Sequence, residues 1–218
     1  MDLGSRLTLF EQTRLYVVIT ESFCSGRPAL DVLDAVLDAG VKLVQFREKD
    51  LDDGDMYRRC VAFRERTRAA NALLVVDDRL DIALAAGADG VHLGQDDLPV
   101  AAARALAPEL IVGASSHNLA EALAAQEEGA SYVNIGPIFA TATKSVSTGA
   151  VGPEMIDEIK PYLVIPFTCM GGIKEHNVQE VVARGARHVA VVTAVTQAED
   201  VRRAACSLQE KMAADTNT

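Results

Sequence analysis

Eight short runs rich in Val, Ile and Leu recur along the chain, at 15–20, 42–46, 73–76, 90–93, 110–114, 131–135, 164–169 and 188–193. Each is a few residues long and none alternates strictly, which is the pattern of strands buried on both faces of a parallel sheet. Between them lie longer, Ala-rich amphipathic stretches at 29–39, 54–70, 78–86, 100–107, 118–128, 153–160, 175–184 and 199–212, which read as helices. Eight strands alternating with eight helices admit a closed (β/α)8 barrel or an open doubly wound sheet. The count of eight favours the α/β fold in its TIM-barrel form. At 218 residues the chain lies near the short end for that fold, so its loops must be brief.

Gly40, Gly87, Gly129 and Gly185 each follow a helical stretch and precede a strand, the place for a left-handed residue that ends a helix. No linker, low-complexity tract or compositional break divides the chain. Residues 1–218 are therefore expected to form one barrel domain with its core at about 14–212. A short N-terminal arm would run to about Gln12, and 213–218 would fray.

The balance of 31 Asp+Glu against 21 Lys+Arg gives a net charge of −10, which argues against nucleic acid or an anionic membrane as partner. No run approaches the ~18 apolar residues of a membrane span, and the first residues lack the apolar stretch of a secretory signal. A cytoplasmic protein is expected. Cys24, Cys60, Cys169 and Cys206 show no Cys-x-x-Cys spacing, so free thiols are expected rather than a zinc or redox pair. The residues carry no signal for an oligomeric state.

In a barrel, chemistry sits just after the strands, at the C-terminal rim. The polar residues fall there. Gln45, Phe46, Arg47, Glu48 and Lys49 follow the second strand, Asp77 and Asp78 the third, and Gln95, Asp96 and Asp97 the fourth. Ser115, Ser116 and His117 follow the fifth, 136–144 the sixth, Gly171 and Gly172 the seventh, and Thr193 the eighth. Arg47, Lys49 and Lys144 converge only if the barrel closes, and would then form a cationic pocket. Asp77, Asp78, Asp96 and Asp97 beside it suggest Mg²⁺, which takes one or two carboxylates plus phosphate oxygens. Gly171 and Gly172 would bring backbone amides to a phosphate, with Thr141 and Thr143 adding hydroxyl donors. Two anionic groups are implied, on two phosphorylated substrates or on one bisphosphate. The remaining eye-catching residues have plainer readings: His92 as a packed strand residue, His117 as a helix cap, His176 and His188 as surface or helix-end residues, Cys169 and Met170 as packing.

The segments 44–49, 91–97, 136–144 and 171–173, each after its own strand, resemble the thiamine-phosphate synthase family, and the likeness runs from about Leu15 to about Glu199. The resemblance implies a (β/α)8 barrel joining hydroxymethylpyrimidine diphosphate to a thiazole phosphate, plain or carboxylated, with release of diphosphate. It implies Arg47, Lys49 and Lys144 as catalytic cations, with Gln45 and Ser115 on the pyrimidine substrate. It implies Asp78 and Asp97 on Mg²⁺. Thr141, Thr143, Gly171, Gly172, Val192 and Thr193 would hold the thiazole phosphate, with Phe46, Glu48, Asp77 and Ala142 completing the substrate-lining segments. Three positions depart from the family pattern: Asp77 stands where Asn is usual, Ala140 where Pro is usual, and Thr193 where Ser is usual. An extra carboxylate ~4 Å from a diphosphate costs about 4 kcal/mol at an effective dielectric of ~20. The stretch 145–149 reads as a lid. A related barrel that aromatises or isomerises the thiazole phosphate would need only the phosphate grip. A non-catalytic barrel binding thiazole or thiamine phosphate would need no turnover at all.

Overall fold

The computed structural model describes residues 1–141 and 149–214. Eight parallel strands close into a barrel in sequence order: β1 (Leu15–Ile19), β2 (Leu43–Phe46), β3 (Leu73–Asp77), β4 (Gly90–Leu93), β5 (Ile111–Ser116), β6 (Tyr132–Ile135), β7 (Phe167–Met170) and β8 (His188–Val191). The seam is regular: Tyr16 pairs with Leu43 of β2 and with Ala190 of β8. The helices are α1 (Leu3–Gln12), α2 (Ala29–Asp38), α3 (Asp53–Ala69), α4 (Leu80–Ala86), α5 (Val100–Leu106), α6 (Leu119–Glu127), α7 (Glu154–Ile159), α8 (Val178–Ala183), α9 (Thr193–Thr196) and α10 (Val201–Ala214). The fold is the (β/α)8 TIM barrel. The four helix-ending glycines all have positive φ.

Strand alternation splits the core in two. Tyr16, Leu43, Leu73, Val75, Ile111, Tyr132 and Ala190 fill the barrel interior. Their neighbours, Val17, Val44, Phe46, Leu74, Val91, Val112 and Val133 among them, face the helices. Because both faces are apolar, the runs show no alternation in sequence.

Two expectations need correction, and the expected N-terminal arm takes a definite form. The N-terminal arm is a helix: Asp2 caps it by accepting the Ser5 N–H at 2.8 Å, and Leu3, Leu7 and Phe10 line one face, four and three residues apart. That helix closes the bottom of the barrel, where Phe10 is fully buried and stacks on Tyr132 at 4.8 Å. Burial of such a ring is worth roughly 1.5–3 kcal/mol. The seventh strand begins at Phe167 rather than near Val164, which is 89% exposed and stands before Pro166. His188 is neither a surface nor a helix-end residue: it lies in β8, 5% exposed, with its ring against Phe10 at 4.8 Å.

The burial of His188 has a pH consequence. Desolvation, with Arg187 and Arg14 nearby, pushes its pKa down from 6.5 to about 4, although a backbone hydrogen bond at Thr13 works the other way. Between those values the unfolded chain binds a proton that the folded chain refuses, so stability falls as pH drops from about 6.5 to 4. Urea unfolding across that window should show this loss, and His188→Phe, which keeps the contact with Phe10, should reduce it. Parallel loss in both proteins would place the acid sensitivity elsewhere.

Candidate active site

Parallel strands bring all eight C-terminal ends to one rim, and a cavity of about 430 Å³ opens there. Val18 and Ala190 lie at its floor. Gln45, Arg47, Asp77, Ser115, Thr141, Gly171, Gly172, Val192 and Thr193 line it, nine of the residues singled out from sequence. Ala142, Thr143, Lys144 and positions 145–148 of the expected lid lie outside the described residues.

One side of the rim is charged. The Arg47 N–H donates to Ile19 O at 3.0 Å, continuing the β1–β2 ladder one residue past the strand. Its Nε then meets Asp77 Oδ2 at 3.2 Å, and Lys49 Nζ meets the same oxygen at 2.8 Å. Lys49 also pairs with Asp78. Burial works against the Lys49 charge, yet Asp77 and Asp78 outweigh it and raise its pKa. Asp78 sits at φ +58, a left-handed conformation that Asp tolerates better than most residues, and its N–H donates to His92 O at 2.8 Å. Asp97 Oδ2 accepts the Gly94 N–H at 2.6 Å. Burial pushes the Asp97 carboxyl up against the pull of that N–H, and a hydrogen bond and the charge at Asp78 push it further.

Two carboxylates that disfavour each other's charge form a pair that a hard cation relieves. Among the described residues no group of three or more His, Cys, Asp or Glu side chains is assembled for a metal. The neighbouring carboxylates of Asp78 and Asp97 are the type of donor that Mg²⁺ takes, one or two at a time, alongside phosphate oxygens and water.

The opposite side is built from backbone. Gly171 and Gly172 have φ of +102 and +62. A Cβ on Gly171 would overlap Pro137, and one on Gly172 would lie 2.7 Å from Ala140 O. The close approach arises because 136–139 clasps the end of β7: Ile138 N–H donates to Met170 O at 2.8 Å and Phe139 N–H to Gly171 O at 2.9 Å. Asn177 ties the following turn, donating to Gly172 O at 3.1 Å and accepting the Lys174 N–H at 2.7 Å. Val192 and Thr193, opening the short α9, stand beside these glycines on the cavity wall.

Two expected lining residues lie elsewhere. Phe46 is 1% exposed and packs edge-on to Phe63 of α3 at 5.0 Å, because alternation that turns Gln45 inward turns Phe46 outward. Glu48 points back to the β1 loop, where it accepts the Glu21 N–H at 2.9 Å. Lys49 reaches Asp77 and Asp78 but is absent from the cavity lining. Conversely, the cavity recruits Asn134, Lys174 and Gln197, which sequence reasoning passed over, together with His92, read as a packed strand residue, and His117, read as a helix cap. His92 is buried as expected, but its Nε2 lies 3.0 Å from Ser115 Oγ at the cavity floor. His117 does bond to the first turn of α6, its N–H and Nδ1 each 2.8 Å from Glu121 Oε2, while also reaching the cavity. Lys174 had a signal in its place two residues after the Gly-Gly pair.

Fold and rim together define a (β/α)8 barrel with a cationic, glycine-lined cavity suited to phosphorylated small molecules. A family model described as thiamine monophosphate synthase matches residues 15–195. Thiamine-phosphate synthase of Chloroflexus aurantiacus is 43% identical over 196 residues, covering 90% of this chain and 91% of the relative. That of Caldicellulosiruptor bescii is 40% identical over 204 residues, 93% of each chain. The solved thiamine phosphate pyrophosphorylase of Pyrococcus furiosus superposes with a TM-score of 0.87 at 37% identity, covering 94% of this chain and 97% of that one. The chain belongs to the thiamine-phosphate synthase family, transferases of thiamine biosynthesis. Among the described residues no helix is long and apolar enough to cross a membrane.

Proposed function

We propose that the cavity couples hydroxymethylpyrimidine diphosphate to a thiazole phosphate, giving thiamine monophosphate and diphosphate. The observation that carries this is that one cavity has Arg47 on one side and the positive-φ Gly171 and Gly172 with Thr193 on the other, a layout we read as two separate anion grips. An enzyme that only isomerised a thiazole phosphate would have no use for the first.

The reacting bonds are the C–O bond to diphosphate, which breaks, and the C–N bond to the thiazole nitrogen, which forms. Arg47 and Lys49 stabilise charge growing on the leaving diphosphate, and Lys144, outside the described residues, is assigned the same role from the family pattern. Asp78 and Asp97 would hold Mg²⁺, which would supply further neutralisation of charge on the diphosphate. The electron-rich aminopyrimidine stabilises the methylene cation left behind, and the order of steps is dissociative. Gln45 and Ser115 hold the pyrimidine, while Gly171, Gly172, Val192 and Thr193 hold the thiazole phosphate so that its nitrogen lies close to the cationic carbon. A protein base is not required for that bond.

The test is diphosphate release by the purified protein with both substrates, with and without Mg²⁺, and identification of the product by mass. Mg²⁺-dependent release with the mass of thiamine monophosphate is expected. Asp78→Ala should shift the Mg²⁺ titration sharply to higher concentration. Release without the metal, or an unchanged titration in the variant, would reject the Asp78–Asp97 assignment. No release at all would reject the coupling reaction.

A further inference from the structure

We propose that Tyr132 and Tyr16, neither of which lines the cavity, are positioning residues that fix which hydrogen-bonding groups Gln45 and Ser115 present to the pyrimidine diphosphate. The assignment of that ligand rests on the coupling reaction above; the wiring of the two tyrosines does not.

A continuous chain of hydrogen bonds crosses the barrel. Gln45 Nε2 on β2 donates to Tyr16 OH on β1 at 2.8 Å. Tyr16 OH lies 3.3 Å from Tyr132 OH on β6, Tyr132 OH 2.9 Å from His92 Nδ1 on β4, and His92 Nε2 3.0 Å from Ser115 Oγ on β5. The two tyrosines are 1% and 0% exposed. Burial raises both phenol pKa values well above their usual range, so each phenol keeps its single proton.

One proton per phenol gives the chain a direction. Tyr16 accepts from Gln45, and among the described residues the only acceptor in reach of its own proton is Tyr132 OH. Tyr132 then has its proton for His92 Nδ1, the only acceptor left to it among the described residues. His92 is thereby held with its hydrogen on Nε2, which donates to Ser115 Oγ. Ser115 is left to offer its own O–H to the cavity. At the other end Gln45 has turned its amide nitrogen to Tyr16, and its Oε1 carries no donor among the described residues. The cavity thus receives a hydroxyl donor at Ser115 and a carbonyl acceptor at Gln45. Those groups suit an anionic diphosphate oxygen and an exocyclic amine.

The opposite direction is self-consistent too. It would need hydrogen on His92 Nδ1 and would present a Ser115 lone pair and a Gln45 NH₂, which leaves no Ser115 hydroxyl donor for an anionic diphosphate oxygen. Packing holds the central phenol where it must be. The Tyr132 ring is stacked on Phe10 at 4.8 Å and on His92 at 5.6 Å. Gly113 leaves room for the phenol end of the ring, since a Cβ there would overlap its Cζ and OH.

The decisive measurement is ¹⁵N NMR of the His92 ring in the unliganded enzyme, assigned with His92→Gln. The expected result is one tautomer with hydrogen on Nε2 in the wild type and a mixture in Tyr132→Phe. Tyr132→Phe should also lower kcat/KM for the pyrimidine diphosphate about 10–100-fold, and adding Ser115→Ala to it should cost little more, because the two act as one unit. Hydrogen on Nδ1 in the wild type, an unchanged tautomer in Tyr132→Phe, or fully additive losses would overturn the proposal. The wild-type spectrum decides the direction of the chain even if Tyr132→Phe does not fold, with Tyr16→Phe as the second variant. Because the spectrum is taken without substrate, a failed coupling assay beside an Nε2–H tautomer would count against the reaction and not against the relay.

Discussion

Arg47→Ala should lower kcat for diphosphate release by at least about 10²-fold, the scale of losing one preorganised charge-stabilising donor. Arg47 is held in place before any substrate arrives: its backbone continues the β1–β2 ladder, its Nε meets Asp77 at 3.2 Å, and its Nη1 lies 3.5 Å from Thr20 Oγ1. Only 18% of the side chain is exposed, so water screens it poorly. The variant loses more than one cation. Asp77, itself 10% exposed, then faces the diphosphate with Lys49 as its remaining basic partner among the described residues. Like charges ~4 Å apart at an effective dielectric of ~20 repel by about 4 kcal/mol. Arg47→Lys should recover part of the loss, since it restores charge without the planar fork. Steady-state kinetics on the two variants makes the comparison, and near-wild-type turnover in Arg47→Ala would remove this residue from the diphosphate pocket.

Gly172→Ala is expected to raise KM for the thiazole phosphate about 10–100-fold while leaving KM for the pyrimidine diphosphate nearly unchanged. At φ +62 an L-residue pays roughly 1–2 kcal/mol in its own backbone. The added Cβ would also stand 2.7 Å from Phe139 Cβ and from Ala140 O, both in the loop after β6. That loop cannot simply withdraw, because the Phe139 N–H is bonded to Gly171 O and the Val151 N–H to Pro137 O at 2.8 Å. Either the glycine turn or the loop shifts, and both border the phosphate end of the cavity. A urea melt should show a stability loss of about 1–3 kcal/mol alongside. If stability falls and KM for the thiazole phosphate does not move, the glycine is a packing device and the phosphate is held elsewhere.

The barrel was legible because its signal is repetitive. Eight apolar runs and eight amphipathic stretches each landed within a few residues of an observed element, and a parallel barrel sends every loop after a strand to one rim. The order of polar residues after strands was therefore enough to bring Gln45, Arg47, Asp77, Ser115 and the Gly171–Gly172 pair to one cavity. The N-terminal helix was missed although Leu3, Leu7 and Phe10 share a face, because three apolar positions in a polar decamer look weak until a barrel bottom exists to receive them.

What the sequence by itself determined is the architecture, the rim and the chemical character of the site, since these follow from periodicity and from residue type at strand ends. Tertiary structure alone decided which side of each strand faces the barrel interior. A run apolar on both faces hides its parity, so Phe46 and Gln45 were indistinguishable as lining residues until the barrel turned one outward and the other inward. It also decided that His188 is a buried contact of α1, and that Gln45, Tyr16, Tyr132, His92 and Ser115 form one hydrogen-bonded chain. Those five residues come from five strands and are separated by up to 116 positions, and only barrel closure brings each within 3.3 Å of the next.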